Sequence, residues 1–175
     1  MASLILHPEH ADDLPRADLV RIAAALALGG ADPEPGCVPV GAGFVEHFTL
    51  VGCAPALVDA AGEPLCLRLV RESHATLLAG TNAVAPRCRN CRHRFGDWRE
   101  HLERWRADPL GEWPCPGCGT ALNAARLDWR HHAGAIRAAL EFVPVFPGEV
   151  QPQSTLFARL RELSGRDWDY FFHAP

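Results

Sequence analysis

Lysine is absent from this chain: all 17 basic residues among its 175 are arginine. A Walker-type phosphate loop, a kinase-type phosphate-binding lysine and a Schiff-base lysine all need the missing amine, so the enzyme classes built on them are excluded. Serine is scarce. None of Ser3, Ser73, Ser154 and Ser164 stands in a G-x-S-x-G turn, and no H-E-x-x-H segment occurs, so the common hydrolase signatures are missing too. Gly41-Ala42-Gly43 begins as a dinucleotide loop would, but Glu46 occupies the place of its third glycine. Long hydrophobic runs are also lacking. The longest, from Ile22 to Ala31, has ten residues, against the ~20 that cross a bilayer. The start, Met1 to Pro8, has a three-residue apolar run and no basic lead, too little for a secretory signal. A cytoplasmic protein without a membrane span is expected. The Ala, Gly, Pro and Arg bias suggests a GC-rich bacterial genome.

Apolar residues make up 48% and charged residues 22%, the balance of a globular chain that can build a core. Charge is uneven along it. Residues 1–84 carry net −6, residues 85–137 net +4 and residues 138–175 net −2. A basic middle between acidic flanks could serve an anionic partner, although four metal-bound thiolates there would offset about two of the positive charges.

Periodicity places the elements. Ser3 to His7 reads as a strand, then Asp12 or Asp13 caps a helix from Pro15 to Leu28 with Leu19, Ile22, Ala23 and Leu26 on its inner face. Phe44 to Gly52 and Leu65 to Arg71 read as a strand pair, with a third strand over Thr76 to Asn82. A short helix capped by Asp97 and stopped at Asp108-Pro109 follows, with Trp98, Leu102 and Trp105 inward. Ala121 to Gly134 reads as a helix or extended arm. A long strand over Ala135 to Phe146, a helix over Ser154 to Ser164 and a strand over Asp167 to Phe172 close the chain. In that last strand Trp168, Tyr170 and Phe172 alternate inward, and Phe171 becomes an exposed contact if its face is left uncovered. Strand, helix, strand at each end predicts an α+β fold, a ferredoxin-like split β-α-β layer. Its parts are residues 1–84, an insertion at 85–120 and residues 121–175.

The insertion carries the chemistry. Cys88-Arg89-Asn90-Cys91 and Cys115-Pro116-Gly117-Cys118 are two C-x₂-C pairs separated by 23 residues. Two cysteines three apart on a tight turn supply two ligands from one loop, and two such loops close a tetrahedral site. Over Arg87 to Thr120 the segment resembles the zinc-ribbon and rubredoxin-like superfamily, with Cys-Pro-Gly-Cys-Gly as a zinc knuckle. The helix between the pairs departs from the simplest ribbons. The resemblance implies structural Zn²⁺ on Cys88, Cys91, Cys115 and Cys118, with iron as the alternative metal. Four thiolates leave no open position for activating water. His93, two residues beyond Cys91, is an alternative ligand. Cys53 and Cys66 could face one another across the strand pair, but Cys37, Cys53 and Cys66 read as reduced packing residues.

Arg87, Arg89, Arg92 and Arg94 flank the first knuckle, with Trp98 and Trp105 beyond, a pattern that could hold phosphates and stack bases. His131-His132, and His47, are the polar groups around which an enzyme of unrecognised type would be built. The leading expectation is a non-enzymatic zinc protein whose ribbon contacts a protein partner as adaptor or regulator. Nucleic-acid binding through the arginines is the alternative.

Overall fold

The first strand sets the plan. β1 (Ser3–Pro8) is buried on both faces, all six of its residues included, so it needs a neighbour on each edge and a layer on each face. The computed structural model of the protein describes residues 2–29, 36–51, 62 and 64–175. From β1 the chain runs through α1 (Arg16–Ala25), β2 (Val38–Pro39), α2 (Gly43–His47), β3 (Phe48–Leu50) and the long β4 (Cys66–Leu78). Then come α3 (Trp98–Ala107), β5 (Trp113–Pro114) and β6 (Ala121–Leu122). The chain ends with β7 (Gly134–Val143), β8 (Val150–Pro152), α4 (Ser154–Ser164) and β9 (Trp168–His173).

The main sheet has the order β2-β4-β7-β1-β9, with every pairing antiparallel. β1-α1-β4 and β7-α4-β9 are therefore two split β-α-β units that interleave their strands, the ferredoxin-like arrangement within the α+β class. β2 extends the sheet at the β4 edge. One face is closed by the helices: Leu4, Leu6, Leu140 and Phe142 pack with Leu19 and Ile22 of α1 and Leu156 and Leu160 of α4. The other face carries Ile5, Ile136, Ala139 and Phe171. Phe171 is only 1% exposed, so its face is covered and the condition under which it would be an exposed contact does not arise. Val70 and Leu78 of β4 pack against this cluster, and the chain between β4 and β7 builds a separate core in which Trp98, Trp105, Leu122 and Trp129 meet Leu77 and Ala135 of the sheet. That connection also caps the outer edge of β9. His131 accepts the Phe172 amide at 2.9 Å, and Asn82 bonds Phe172 and Ala174 at 2.7 and 3.0 Å.

Several local expectations change. The stretch from Phe44 splits into α2 and β3, and β3 pairs with β8 rather than with β4. The two strands foreseen at 65–71 and 76–82 are one, β4, with a register shift between Arg71 and Thr76. Such an irregularity looks like a turn from sequence but keeps the ladder running. Residues 121–134 form β6, a 3₁₀ turn at Ala124–Arg126 and a coil. Pro15 occupies the N-cap of α1, while Asp12 and Asp13 pair with Arg166 and Arg71 at 3.1 Å. Asp97 does sit at the N-cap of α3, but its carboxylate faces His101 at 3.2 Å instead of the helix amides.

Cys66 is not a free packing thiol. It forms a disulfide with Cys37, their Cα atoms 5.4 Å apart, because β2 lies against the start of β4 with Pro39 opposite Cys66. The pairing imagined with Cys53 rested on the wrong strand partner, and Cys53 itself lies outside the described residues. A bridge closing a 29-residue separation constrains the unfolded chain by about 3–4 kcal/mol. Cys37→Ser is expected to lower the chemical-denaturation stability of the oxidised protein by that order and to leave the fully reduced protein unchanged.

Gly134 shows how tightly the second face is closed. A Cβ there would stand 2.5 Å from the Phe171 ring, and that ring is packed on the sheet. Gly134→Ala should cost about 1–3 kcal/mol, the range for overpacking, read as a lowered melting temperature.

Candidate metal centre and the cleft beside it

Each C-x₂-C pair is a backbone turn before it is a ligand set. In the first, the Cys88 amide donates to the His93 carbonyl at 2.9 Å and the Arg92 amide to the Cys88 carbonyl at 3.0 Å. In the second, Cys115 donates to Thr120 at 2.8 Å and Gly119 to Cys115 at 2.8 Å. The residue after the second cysteine of each pair is left-handed: Gly119 at φ 72°, and Arg92, which has a side chain to accommodate, at φ 64°. Gly117 lets the two turns approach, since a Cβ there would lie 3.0 Å from Cys91 Sγ.

The four sulfurs of Cys88, Cys91, Cys115 and Cys118 all lie within 4.8 Å of one another. Cys91 and Cys115 are 3.7 Å apart and Cys88 and Cys118 4.0 Å, where tetrahedral metal–sulfur bonds of ~2.3 Å require an S···S separation of about 3.8 Å. The residues therefore fit a metal ion. Two of the sulfurs are buried and two exposed. Polar groups aim at them: Asn90 Nδ2 at 3.4 Å and the Thr120 hydroxyl at 3.3 Å from Cys118 Sγ, and the Gly117 amide at 3.4 Å from Cys115 Sγ. The Thr120 hydroxyl, then its amide and Asn90, hold the Cys118 thiol down to about 6. The His93 amide pulls Cys91 down, yet burial and the other three sulfurs prevail and push it up to about 12. Four such sulfurs share protons unevenly until a cation replaces those protons. His93 stands outside the four-sulfur group, its ring edge-on to Phe95 at 5.2 Å.

The arginines of the first knuckle do not form a common free surface. Arg92 Nη1 donates to Asp128 at 2.7 Å and Arg89 Nη2 to Asp169 of β9 at 3.2 Å. Arg87 makes backbone bridges to Arg94 and Asp128, its Nε buried without a partner. Arg94 is exposed. The two ion pairs tie the knuckle to the residues that edge the sheet.

Between knuckle and sheet they frame a cleft of about 480 Å³, within the range of small-molecule sites. Arg89, Arg92, Arg130, Glu9, Asp128 and Asp169 balance in charge around it, with His7, His131 and Tyr170 beside them. His131 stacks on Tyr170 at 4.1 Å, and its Nδ1 lies 2.7 Å from the Tyr170 carbonyl and 3.5 Å from Asp169. Burial tends to raise the Asp128 carboxyl, but the Arg130 amide and the Arg92 guanidinium outweigh it and hold the group below the usual range. Burial raises the Tyr170 hydroxyl, and Asp169 adds to the effect. His131 thus belongs to the cleft, whereas His47 lies on α2 and His132 is half-buried beside it in sequence. The sequence reading missed His7, Glu9, Asp128, Arg130, Asp169 and Tyr170. No spacing rule links positions 7, 128 and 169: β1–β9 register sets His7 opposite Asp169, and Asp128 comes in through its bridge to Arg87 and its ion pair with Arg92.

No family model, curated protein or solved structure matches the chain.

His7 generates a pH prediction. Burial lowers it from the ordinary histidine range, Arg89 and His10 reinforce that, and the Pro8 carbonyl and Asp169 oppose it without prevailing. Burial likewise lowers His132 and His173. Below about pH 6.5 the unfolded chain takes up protons that the folded chain refuses, so stability falls as pH is lowered through that value. Urea unfolding should give a smaller stability at pH 5 than at pH 7. His7→Asn, whose amide can replace Nδ1 on the Pro8 carbonyl, should flatten that slope, and an unchanged slope would exclude His7 as its source.

Proposed function

We propose that this chain is a non-enzymatic binding protein in which Cys88, Cys91, Cys115 and Cys118 hold a structural Zn²⁺ ion, and that the module so fixed contacts a protein partner as an adaptor or regulator. The supporting observation is the closure of the centre. Four sulfurs sit at metal-binding separations with Asn90, Thr120 and Gly117 directed at sulfur, which uses every position of a tetrahedral ion and leaves none for substrate. Zinc in such a site joins the two knuckles and orders the connection that covers the sheet. Residues 85–120 are the metal-bearing insertion, and the flanking segments 1–84 and 121–175 form the layer that carries it. The pairing of Arg89 with Asp169 and Arg92 with Asp128 removes half of the arginines that nucleic-acid binding would use, and this favours a protein partner.

Metal analysis of the purified chain with its absorption spectrum tests the centre. One equivalent of zinc and no visible colour is the expected result, whereas iron–thiolate absorption would replace the metal assignment. Structural zinc contributes ~10–16 kcal/mol in small metal-dependent folds, so Cys115→Ser should lose the metal and a sizeable part of the stability. Proximity labelling in the native host, wild type against Cys115→Ser, tests the partner: protein neighbours lost in the variant are expected. Salt-steep binding to a generic duplex that Arg94→Ala weakens would replace the protein reading with nucleic acid.

A further inference from the structure

The cleft between the first knuckle and the β1 and β9 strands is rich in hydrogen-bond donors and poor in free acceptors. An arginine carries five N–H donors. In this cleft Arg92 meets Asp128 through Nη1 and Arg89 meets Asp169 through Nη2. The two aspartates have spent their second oxygens on backbone: Asp128 Oδ1 accepts the Arg130 amide at 2.9 Å and Asp169 Oδ1 the Tyr170 amide at 2.8 Å. The Arg130 guanidinium has no partner among the described residues, and the remaining carboxylate, Glu9, has only His10 at 3.6 Å, beyond hydrogen-bond reach, which leaves it the one carboxylate of the lining still able to accept. Against the unused N–H groups of three arginines, one carboxylate is the minor part of this inventory, and an occupant that supplies acceptors fits the larger part.

Two further observations mark the cleft as built rather than incidental. Apart from Arg92, whose left-handed backbone belongs to the knuckle turn, Arg130 and His131, two of the six described non-glycine residues with positive φ, line it. His10 and Ala11, two more of those six, directly follow Glu9. Left-handed backbone in residues with side chains is costly and gathers where a site needs it. His7, 7% exposed, lines the cleft as well. Its Nδ1 is engaged by the Pro8 carbonyl at 2.9 Å, and Gly134 keeps the space beside Nε2 clear, since an added Cβ would stand 3.3 Å away.

We propose that this cleft binds a small anion, a molecule presenting a carboxylate or phosphate group to Arg130 and to the unspent N–H donors of Arg89 and Arg92. The two aspartates hold those arginines in place and keep the empty cleft neutral. This goes beyond the metal-fixed partner surface, because it assigns a small-molecule ligand to a different set of side chains.

The test uses the full chain with its metal content measured, titrated with inorganic phosphate in one arm and succinate in the other, and followed by amide NMR. Saturable shifts centred on Gly134, His131 and Tyr170 in at least one arm are expected, and the arm that binds more tightly identifies the oxyanion. Arg130→Gln should weaken binding at least tenfold and Arg130→Lys should retain part of it, while Arg159→Gln on α4 should match the wild type. Both Arg130 variants are compared by spectral dispersion to show that they fold. Shifts spread over the whole surface, no saturation at tens of millimolar anion, or wild-type affinity in Arg130→Gln would overturn the proposal. So would binding of a short single-stranded oligonucleotide when neither small anion binds.

Discussion

A strand with large apolar side chains on both faces cannot be left covered on one. Ile5 of β1, with Ile136 and Phe171 on the neighbouring strands, gives the sheet a second hydrophobic face. The two helices of a split β-α-β layer cover only the first. Burying a large apolar side chain is worth roughly 1.5–3 kcal/mol, so leaving this face wet would cost much of the net stability of a domain of ordinary size. β4 and β7 answer that demand from within the sheet, with Val70 and Leu78 packed against this cluster and Gly134 set against the Phe171 ring. The connection between these strands packs Trp98, Trp105 and Trp129 over Leu77 and Ala135 as a separate core and closes the β9 edge with Asn82 and His131.

The placement of the four cysteines follows from that role. A cover of this size has little regular structure of its own: α3 of ten residues and two strands of two. Its tryptophans make a small aromatic core, Trp105 stacked on Trp113 at 5.1 Å, but small cores are marginal without a staple. Four sulfurs at metal-binding separation would form such a staple around a bound ion, and Cys88 and Cys115 are themselves buried within the core they would tie together. Because the first knuckle reaches β9 through Arg89 and Asp169, the order of the metal centre and the shape of the cleft depend on each other.

What the sequence by itself determined is what local rules govern. The C-x₂-C pairs place two sulfurs on one turn whatever surrounds them, and Ser154 to Ser164 is helical because Leu156 and Leu160 recur on one face and Gly165 can take the left-handed cap. The strand, helix, strand order at both ends is likewise a property of neighbouring residues, and it was enough for the α+β layer. Only the tertiary structure decided which strands meet. β3 joined β8 instead of β4, and Cys37 rather than a nearer cysteine met Cys66. The knuckle arginines found Asp128 and Asp169, and these contacts turned a basic stretch into a charge-balanced cleft. Each choice brings together residues tens of positions apart, and its free energy comes from burial and register across the whole sheet, which no short window of sequence contains.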